Sequence, residues 1–256
     1  MLARIEDAPR LAPLISALSA ITVFAWVAMF AFHAGGDGAS DVVLVWIAMT
    51  VGMMTPSALP MIATYGRLVP ALDAAISVQR ATSVFIAGYL MIWVGFAVVA
   101  AMAQIGMRNF QLMGEHMQLT SPLWSSGFLI AAGLYQLTPL KRVCISKCRS
   151  PVGFLLASFR PGYRGAFAMG IRHGAFCIGC CWLLMALVWI GGMANLVWMA
   201  LLSVLVIAEK TAPHGDLLAK GMGFGLVAAG LACLVFPGSA AWLTDEALIS
   251  LCRGSP

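Results

Sequence analysis

Long apolar runs constrain the fold of this chain more than any other feature of its sequence. Seven segments approach or exceed the roughly 20 apolar residues that a helix needs to cross a bilayer. Hydrophobic residues make up 61% of the chain and charged residues 10%, against about 25% charged in soluble domains. The sequence therefore predicts an all-α, polytopic transmembrane helix bundle that forms a single domain over residues 1–256. The predicted spans are 11–34, 42–64, 81–104, 121–141, 165–191, 194–211 and 219–237.

The charges of the loops predict an orientation. The linker after the fourth span is basic and contains no acid, whereas the linker after the first span carries only Asp37 and Asp41. Because Lys and Arg accumulate on the cytoplasmic side, we expect a multi-pass protein of a cytoplasmic membrane with its N-terminus in the cytoplasm. The sequence contains no nucleic-acid-binding module, so the net charge of +5 indicates topology and contact with lipid. The cations of the linker are Lys141, Arg142, Lys147, Arg149, Arg160 and Arg164.

The cysteines fall into two groups with helical spacing. Cys177, Cys180 and Cys181 stand at i, i+3 and i+4 in the fifth span, so one helical face can present their sulfurs. Cys144 and Cys148 are four residues apart in the basic linker. Soft thiolates suit Cu(I), zinc or an iron–sulfur cluster. Cysteine is also an ordinary small packing residue, and both interpretations remain open.

The two cysteine groups are expected to occupy different depths. At 1.5 Å per residue, Cys177 lies about 20 Å along the fifth span, near mid-bilayer, whereas Cys144 and Cys148 belong to the cytoplasmic rim. A single four-sulfur centre would require residues 150–163 to fold back. The cations around Cys144 and Cys148 are expected to lower the pKa of both thiols, and no stable disulfide is expected in the reducing cytoplasm.

Methionines in the second span extend the set of soft ligands. Met53 and Met54 directly precede Thr55 and Pro56. A proline in the middle of a span leaves a carbonyl one turn earlier without its helical partner and kinks the helix. Thioethers, like thiolates, favour Cu(I). Met53 and Met54 are therefore candidate metal ligands, although methionine also serves as plain apolar bulk.

Six polar residues interrupt the apolar helices near their predicted cytoplasmic ends. Charges at membrane depth need partners, and we expect Glu209 to pair with Lys141, Arg172 or Lys210. In one interpretation this set is a structural ion-pair network. In the other it lines a cytoplasmic cavity that binds a cofactor, with His173 as a metal ligand or proton carrier. The set comprises Gln136, Lys141, Arg172, His173, Glu209 and Lys210.

Four phrases of the sequence resemble a known family. They are Met53-Met-Thr-Pro56, Tyr135-Gln-Leu-Thr-Pro-Leu-Lys141 followed by Cys144 and Cys148, Gly179-Cys-Cys-Trp-Leu-Leu-Met185, and Glu209-Lys210. In this order and spacing they resemble the bacterial DUF2182 family of predicted metal-binding integral membrane proteins, over residues 42–220. The resemblance implies a membrane protein that binds a metal, without naming the metal or a reaction.

The favoured function is therefore membrane metal handling, with copper as the metal because sulfur ligands dominate. Zinc and iron–sulfur remain alternatives as cofactors. A second hypothesis is a membrane oxidoreductase, or one subunit of a membrane metalloenzyme complex, in which the metal or the cysteine pairs carry electrons. A third is a scaffold subunit without metal. The sequence does not decide whether the chain is an enzyme.

Overall fold

The computed structural model describes residues 12–33, 38–114, 118–193 and 195–235. This part of the chain is helical and contains no β-strand, apart from one isolated antiparallel bridge between Met113 and Leu119. The prediction of an all-α fold is thus confirmed. The helices are α1 (Ala12–His33), α2 (Ala39–Leu72), α3 (Val78–Asn109), α4 (Pro122–Leu137), α5 (Pro139–Arg149), α6 (Pro151–Ser158), α7 (Gly162–Ala186), α8 (Val188–Gly191), α9 (Leu196–Thr211) and α10 (Gly215–Val235).

Five stretches of helix in the described residues are long and apolar enough to cross a membrane. This is the pattern of a multi-pass membrane protein associated with a lipid bilayer. The predicted spans 121–141 and 194–211 correspond to α4 and α9, which have 16 residues each and are about 24 Å long at 1.5 Å per residue. The count of seven spans therefore stays a prediction. The five stretches are Ala12–Met29, Ala39–Leu72, Val78–Asn109, Gly162–Gly191 and Gly215–Val235.

Prolines set where the short helices begin. Pro122, Pro139 and Pro151 each stand at the start of a helix, where the missing N–H costs no hydrogen bond. The predicted span 121–141 is therefore not one continuous helix, because α4 ends at Leu137 and α5 begins at Pro139. Thr138 takes an extended conformation (φ −70°, ψ 149°), as is usual before a proline, and its hydroxyl accepts a hydrogen bond from the Lys141 backbone N–H at 3.3 Å.

The chain divides into two compact units. The first comprises residues 1–102 and 143–180, and the second comprises residues 103–142 and 181–256. The prediction that the chain forms one transmembrane domain stays a prediction.

Glycines bring α3 and α7 into close contact in the first unit. A Cβ atom at Gly88 of α3 would collide with the carbonyl oxygen of Phe167, and one at Gly170 of α7 would collide with that of Phe85. Small residues allow helix backbones to approach closely in lipid. The start of α7 is held to the end of α2, because the backbone N–H of Gly162 donates to the Asp73 carboxylate at 2.8 Å. This packing fixes which face of α7 is buried.

In the second unit, α4 and α10 pack through glycines in the same way. A Cβ atom at Gly133 would lie 2.6 Å from the carbonyl oxygen of Gly223. Helix α9 begins at an N-cap, Asn195, whose side-chain oxygen accepts a hydrogen bond from the Trp198 backbone N–H at 2.9 Å. Helices α4 and α9 carry Gln136 and Glu209, two buried polar residues of this unit. The termini on which the orientation partly depends, including Arg4 and Arg10, lie outside the described residues, as does Asp37.

Candidate metal centre

Thiols from α5 and α7 meet inside the first unit. Cys177 and Cys180 are each 1% exposed, and Cys144 is 8% exposed. A Cβ atom on Gly179 of α7 would lie 2.7 Å from the Cys144 sulfur, so Cys144 packs directly against α7. The Cys148 thiol lies at hydrogen-bonding distance from the thiols of Cys177 and Cys180.

The expectation that the two cysteine groups lie apart is therefore wrong. Residues after Arg149 form the short helix α6, which packs against α2, and the chain then enters α7 at Gly162. This reversal returns the chain so that α5 lies beside the middle of α7. Sequence spacing could not give this result, because it depends on how α5 and α6 pack.

Burial raises the thiol pKa values that the sequence predicted to be lowered. The pKa of Cys148 lies well above its usual range because its thiol is hydrogen-bonded to those of Cys177 and Cys180, is buried, and would be repelled by their charge when ionised. The pKa of Cys144 is raised by burial and by the charge of Cys180. The neighbouring cations do not offset these effects, so the thiols on α5 are protonated at neutral pH.

Further hydrogen bonds organise the thiols on α7. The Cys180 thiol donates to the backbone carbonyl of Cys177 at 3.1 Å. The Cys177 sulfur lies 3.4 Å from the hydroxyl oxygen of Tyr89, which donates to the Met54 carbonyl at 3.0 Å. The six cysteines within the described ranges are all free thiols.

The surroundings of the thiols are aromatic and sulfur-rich. His173, 2% exposed and one turn before Cys177 on α7, stacks on Tyr89 with ring centroids 5.4 Å apart and also contacts Phe85 and Phe154. Met53 and Met54 have no exposed surface. The Met54 carbonyl also accepts a hydrogen bond from the Ser57 hydroxyl at 2.8 Å.

A second cluster of polar residues lies inside the second unit. Glu209 of α9 receives two hydrogen bonds from the Lys141 ammonium, at 2.7 and 3.0 Å, and one from the Gln136 side-chain amide at 2.8 Å. All three residues are at most 3% exposed. Of the three partners expected for Glu209, the structure thus gives Lys141.

The remaining predicted residues differ in their burial and in the unit to which they belong. Lys210 is buried at the end of α9. Arg172 and His173 belong to the first unit, where Arg172 is exposed and its guanidinium lies 6.0 Å from the ring centroid of Phe176. Arg172 is therefore not a buried charge. Cys181 is buried and belongs to the second unit.

Within the described residues, the thiols do not form a site of three or more metal ligands. Among the described residues, no three His, Cys, Asp or Glu side chains are arranged so that they could hold a metal ion. Cu(I) does not require three ligands, because it accepts two sulfur ligands in a linear arrangement. Hard cations prefer oxygen ligands, whereas this cluster offers mainly sulfur. Its chemistry therefore fits Cu(I).

Sequence reasoning missed Tyr89 as a member of this cluster. The available signal was a tyrosine in the middle of an otherwise apolar span, where its hydroxyl needs a partner. The identity of that partner, and hence the link to Cys177, required the packing of α3 on α7.

Comparison with known sequences agrees with the chemistry of the cluster. A family described as PpoB2, copper chaperone, matches residues 43–233 of the chain. The chain belongs to this family. The match supports a copper-related membrane protein and does not itself bear out the name DUF2182. No match was found among curated proteins or among solved structures.

Proposed function

We propose that this protein binds Cu(I) through the thiols of the first unit and passes it to an acceptor as a membrane copper chaperone. The contact of Cys148 on α5 with Cys177 and Cys180 on α7 carries the proposal. Two sulfurs from different helices can bind one Cu(I). A small displacement of either helix would then release the ion, as delivery requires. Membership of a copper chaperone family supports copper over zinc and over an iron–sulfur cluster.

We assign the other predicted ligands either to a copper-binding role or to a structural one. Cys144 packs on α7 within the first unit and is a candidate to receive the ion as it moves. Cys181 belongs to the second unit and remains a candidate ligand from the sequence alone. Met53, Met54 and His173 are candidate neutral ligands on the same route. The buried set Gln136, Lys141 and Glu209 is proposed to stabilise the second unit rather than to bind a cofactor. The protein is proposed to lie in the inner membrane of a bacterium.

Copper binding to variants tests this proposal. Purified protein in detergent is titrated with Cu(I) in competition with a coloured Cu(I) chelator, and its metal content is measured by elemental analysis. We expect about one Cu(I) per chain, with only sulfur neighbours detected by X-ray absorption. Cys177→Ser and Cys148→Ser should each lower the Cu(I) affinity strongly, because each removes one sulfur of the proposed pair formed by Cys148 and Cys177.

Cys233→Ser is the matched control, since Cys233 is equally buried, at 1% exposure, but lies on α10 in the second unit. It should bind copper like the wild type. Unchanged affinity in the double variant Cys148→Ser, Cys177→Ser would overturn the site. Preferential retention of zinc or iron by the wild type would overturn the choice of copper.

The oxidoreductase hypothesis is tested with the same variants. If the cysteine pairs carry electrons, a dithiol–disulfide couple should titrate in the wild type and disappear in Cys148→Ser. The chaperone proposal expects the thiols to remain reduced while copper enters and leaves, so thiol counts before and after a cycle of loading and transfer should agree.

A further inference from the structure

The Tyr89 hydroxyl connects the thiol cluster to the backbone of α2. Its oxygen lies 3.0 Å from the Met54 carbonyl oxygen and 3.4 Å from the Cys177 sulfur. A carbonyl can only accept, so the single hydroxyl hydrogen of Tyr89 points to Met54. The Cys177 thiol must then be the donor to the Tyr89 oxygen, which has lone pairs to accept it.

Binding of Cu(I) to Cys177 would reverse the direction of the hydrogen bond between Cys177 and Tyr89. When a thiol binds Cu(I), its S–H bond breaks, an S–Cu bond forms, and the proton is released to solvent. No electron is transferred. The Cys177 sulfur then has no hydrogen to donate and carries negative charge, so its best neighbour is a hydrogen-bond donor. The Tyr89 hydroxyl is the group already at hydrogen-bonding distance.

Two features make the inversion easy. First, the Met54 carbonyl also accepts from the Ser57 hydroxyl at 2.8 Å, so it keeps a hydroxyl donor when Tyr89 turns away. Second, the ring of Tyr89 is held by His173, which stacks on it at an interplanar angle of 23°. Only the phenolic C–O bond needs to rotate, and the packed ring stays in place.

We infer that Tyr89 is a positioning residue for the metal, whose hydroxyl donates to Met54 when Cys177 is a thiol and to the Cys177 sulfur when that sulfur binds Cu(I). This inference rests on the proposed function and deepens it. In the metal-bound form the hydrogen bond stabilises the thiolate. In the metal-free form the same hydroxyl oxygen accepts a hydrogen bond from the Cys177 thiol, so Cys177 has a hydrogen-bond partner in either state.

The first test is Tyr89→Phe, with Tyr65→Phe as control. Tyr65 is a second buried tyrosine of the first unit, whose ring stacks on Phe85 at 4.7 Å. Tyr89→Phe should still bind about one Cu(I), with an affinity lower by about ten- to a hundredfold, as for outer-shell partners of metal ligands. Tyr65→Phe should match the wild type. Equal affinities in the two variants would overturn the inference.

The second test does not use copper. The infrared S–H stretching band of Cys177, assigned by its loss in Cys177→Ser, reports whether the thiol donates a hydrogen bond. It should shift to higher frequency in Tyr89→Phe and stay in place in Tyr65→Phe. An unshifted band in Tyr89→Phe would show that Cys177 does not donate to Tyr89 and would also overturn the inference.

The third test uses Ser57, which belongs to this network through Met54. In Ser57→Ala, the turning of Tyr89 would remove the remaining hydroxyl donor of the Met54 carbonyl, so Cu(I) affinity should fall. In a Tyr89→Phe background, Ser57→Ala should not lower Cu(I) affinity further. The effects of the two changes would then not add, whereas those of independent residues do. If the two changes lower Cu(I) affinity additively, the proposed rotation of the Tyr89 hydroxyl is contradicted. Failure of the wild type to bind Cu(I) would instead refute the proposed function, while the infrared result would stand by itself.

Discussion

At the scale of single residues, the raised pKa of Cys148 sets the pH dependence that the proposed copper binding would have. A protonated thiol must lose its proton to bind a metal, so metal affinity depends on pH. This pKa is raised in the folded protein because Cys148 is held by the thiols of Cys177 and Cys180 and is buried. Cations that are close in sequence therefore do not lower the pKa of a thiol that packs against other thiols in the fold.

We therefore predict that Cu(I) affinity rises with pH across the neutral range, by up to about tenfold per pH unit for each thiol proton displaced. The rise should continue up to the raised pKa of Cys148 and level off above it. Competition titrations at pH 6, 7 and 8 measure the slope, and Cys148→Ser should make it shallower by about one proton. A slope that is independent of Cys148 would show that this thiol is not a ligand.

The same pKa has a consequence for stability. Because the folded state favours the protonated form of Cys148, its contribution to stability is complete below the pKa of the unfolded thiol. It is lost as the pH rises towards the folded pKa. Metal-free protein should thus become less stable at alkaline pH.

The pair formed by Glu209 and Lys141 permits a second prediction at this scale. Removing one partner of a buried pair leaves an uncompensated charge and costs about 3–5 kcal/mol. Glu209→Gln should therefore reduce thermal stability and expression strongly. The double variant Lys141→Met, Glu209→Leu should recover much of this loss, because no charge is then buried alone.

Thermal unfolding in detergent, followed by loss of soluble protein on heating, measures both variants, and copper content is the second readout. If the pair is structural, folded Glu209→Gln retains its copper. Loss of copper from fully stable Glu209→Gln would instead support the cavity interpretation of the sequence. Full stability with unchanged copper would show that Glu209 has neither role.

At the scale of helices, α7, which carries Cys177 and Cys180, packs closely against α3. Gly88 lies where any Cβ would collide with the carbonyl oxygen of Phe167, whereas a Cβ at Gly95, on the same helix, meets nothing within 4 Å. We predict that Gly88→Ala lowers the unfolding temperature and weakens Cu(I) binding, because α7 must move away from α3. Gly95→Ala should change neither, apart from a small gain in helix propensity.

The comparison of these two glycines isolates packing from propensity, since both changes favour the helix equally. Unfolding temperature and the competition titration are measured on both proteins. Equal behaviour of Gly88→Ala and Gly95→Ala would show that the close approach of α3 and α7 is not needed for the site.

At the scale of the whole molecule, the orientation in the membrane remains a prediction from the loop charges. Ser146 is exposed on α5, so a single cysteine placed there reports on the side that α5 faces. With the N-terminus cytoplasmic, Ser146→Cys should resist a membrane-impermeant maleimide on intact cells and react once the membrane is opened. Reaction in intact cells would reverse the orientation.

The background for that measurement is a chain with Cys148→Ser, since Cys148 is the more exposed of the two thiols of α5. A cysteine at Ser40, exposed near the start of α2, is the opposite control, because the linker after the first span is predicted to be external. It should label from outside.

The sequence alone determined the fold class and the kind of chemistry. Runs of about 20 apolar residues can satisfy their backbone groups in lipid only as helices, so an all-α membrane protein follows from local composition. Clustered cysteines and methionines indicated copper for the same local reason, since ligand softness belongs to the residue type.

Only the tertiary structure decided which of these residues meet. The short helix α6 returns the chain so that α7 lies beside α5, and so joins cysteines that sequence spacing places about 20 Å apart in depth. Packing within the first unit partly buries Cys148 and raises its pKa, leaves Arg172 exposed, and brings Tyr89 to Cys177. Packing within the second unit pairs Lys141 with Glu209. Each of these depends on contacts between residues far apart in the chain, and local sequence carries no direct record of such contacts.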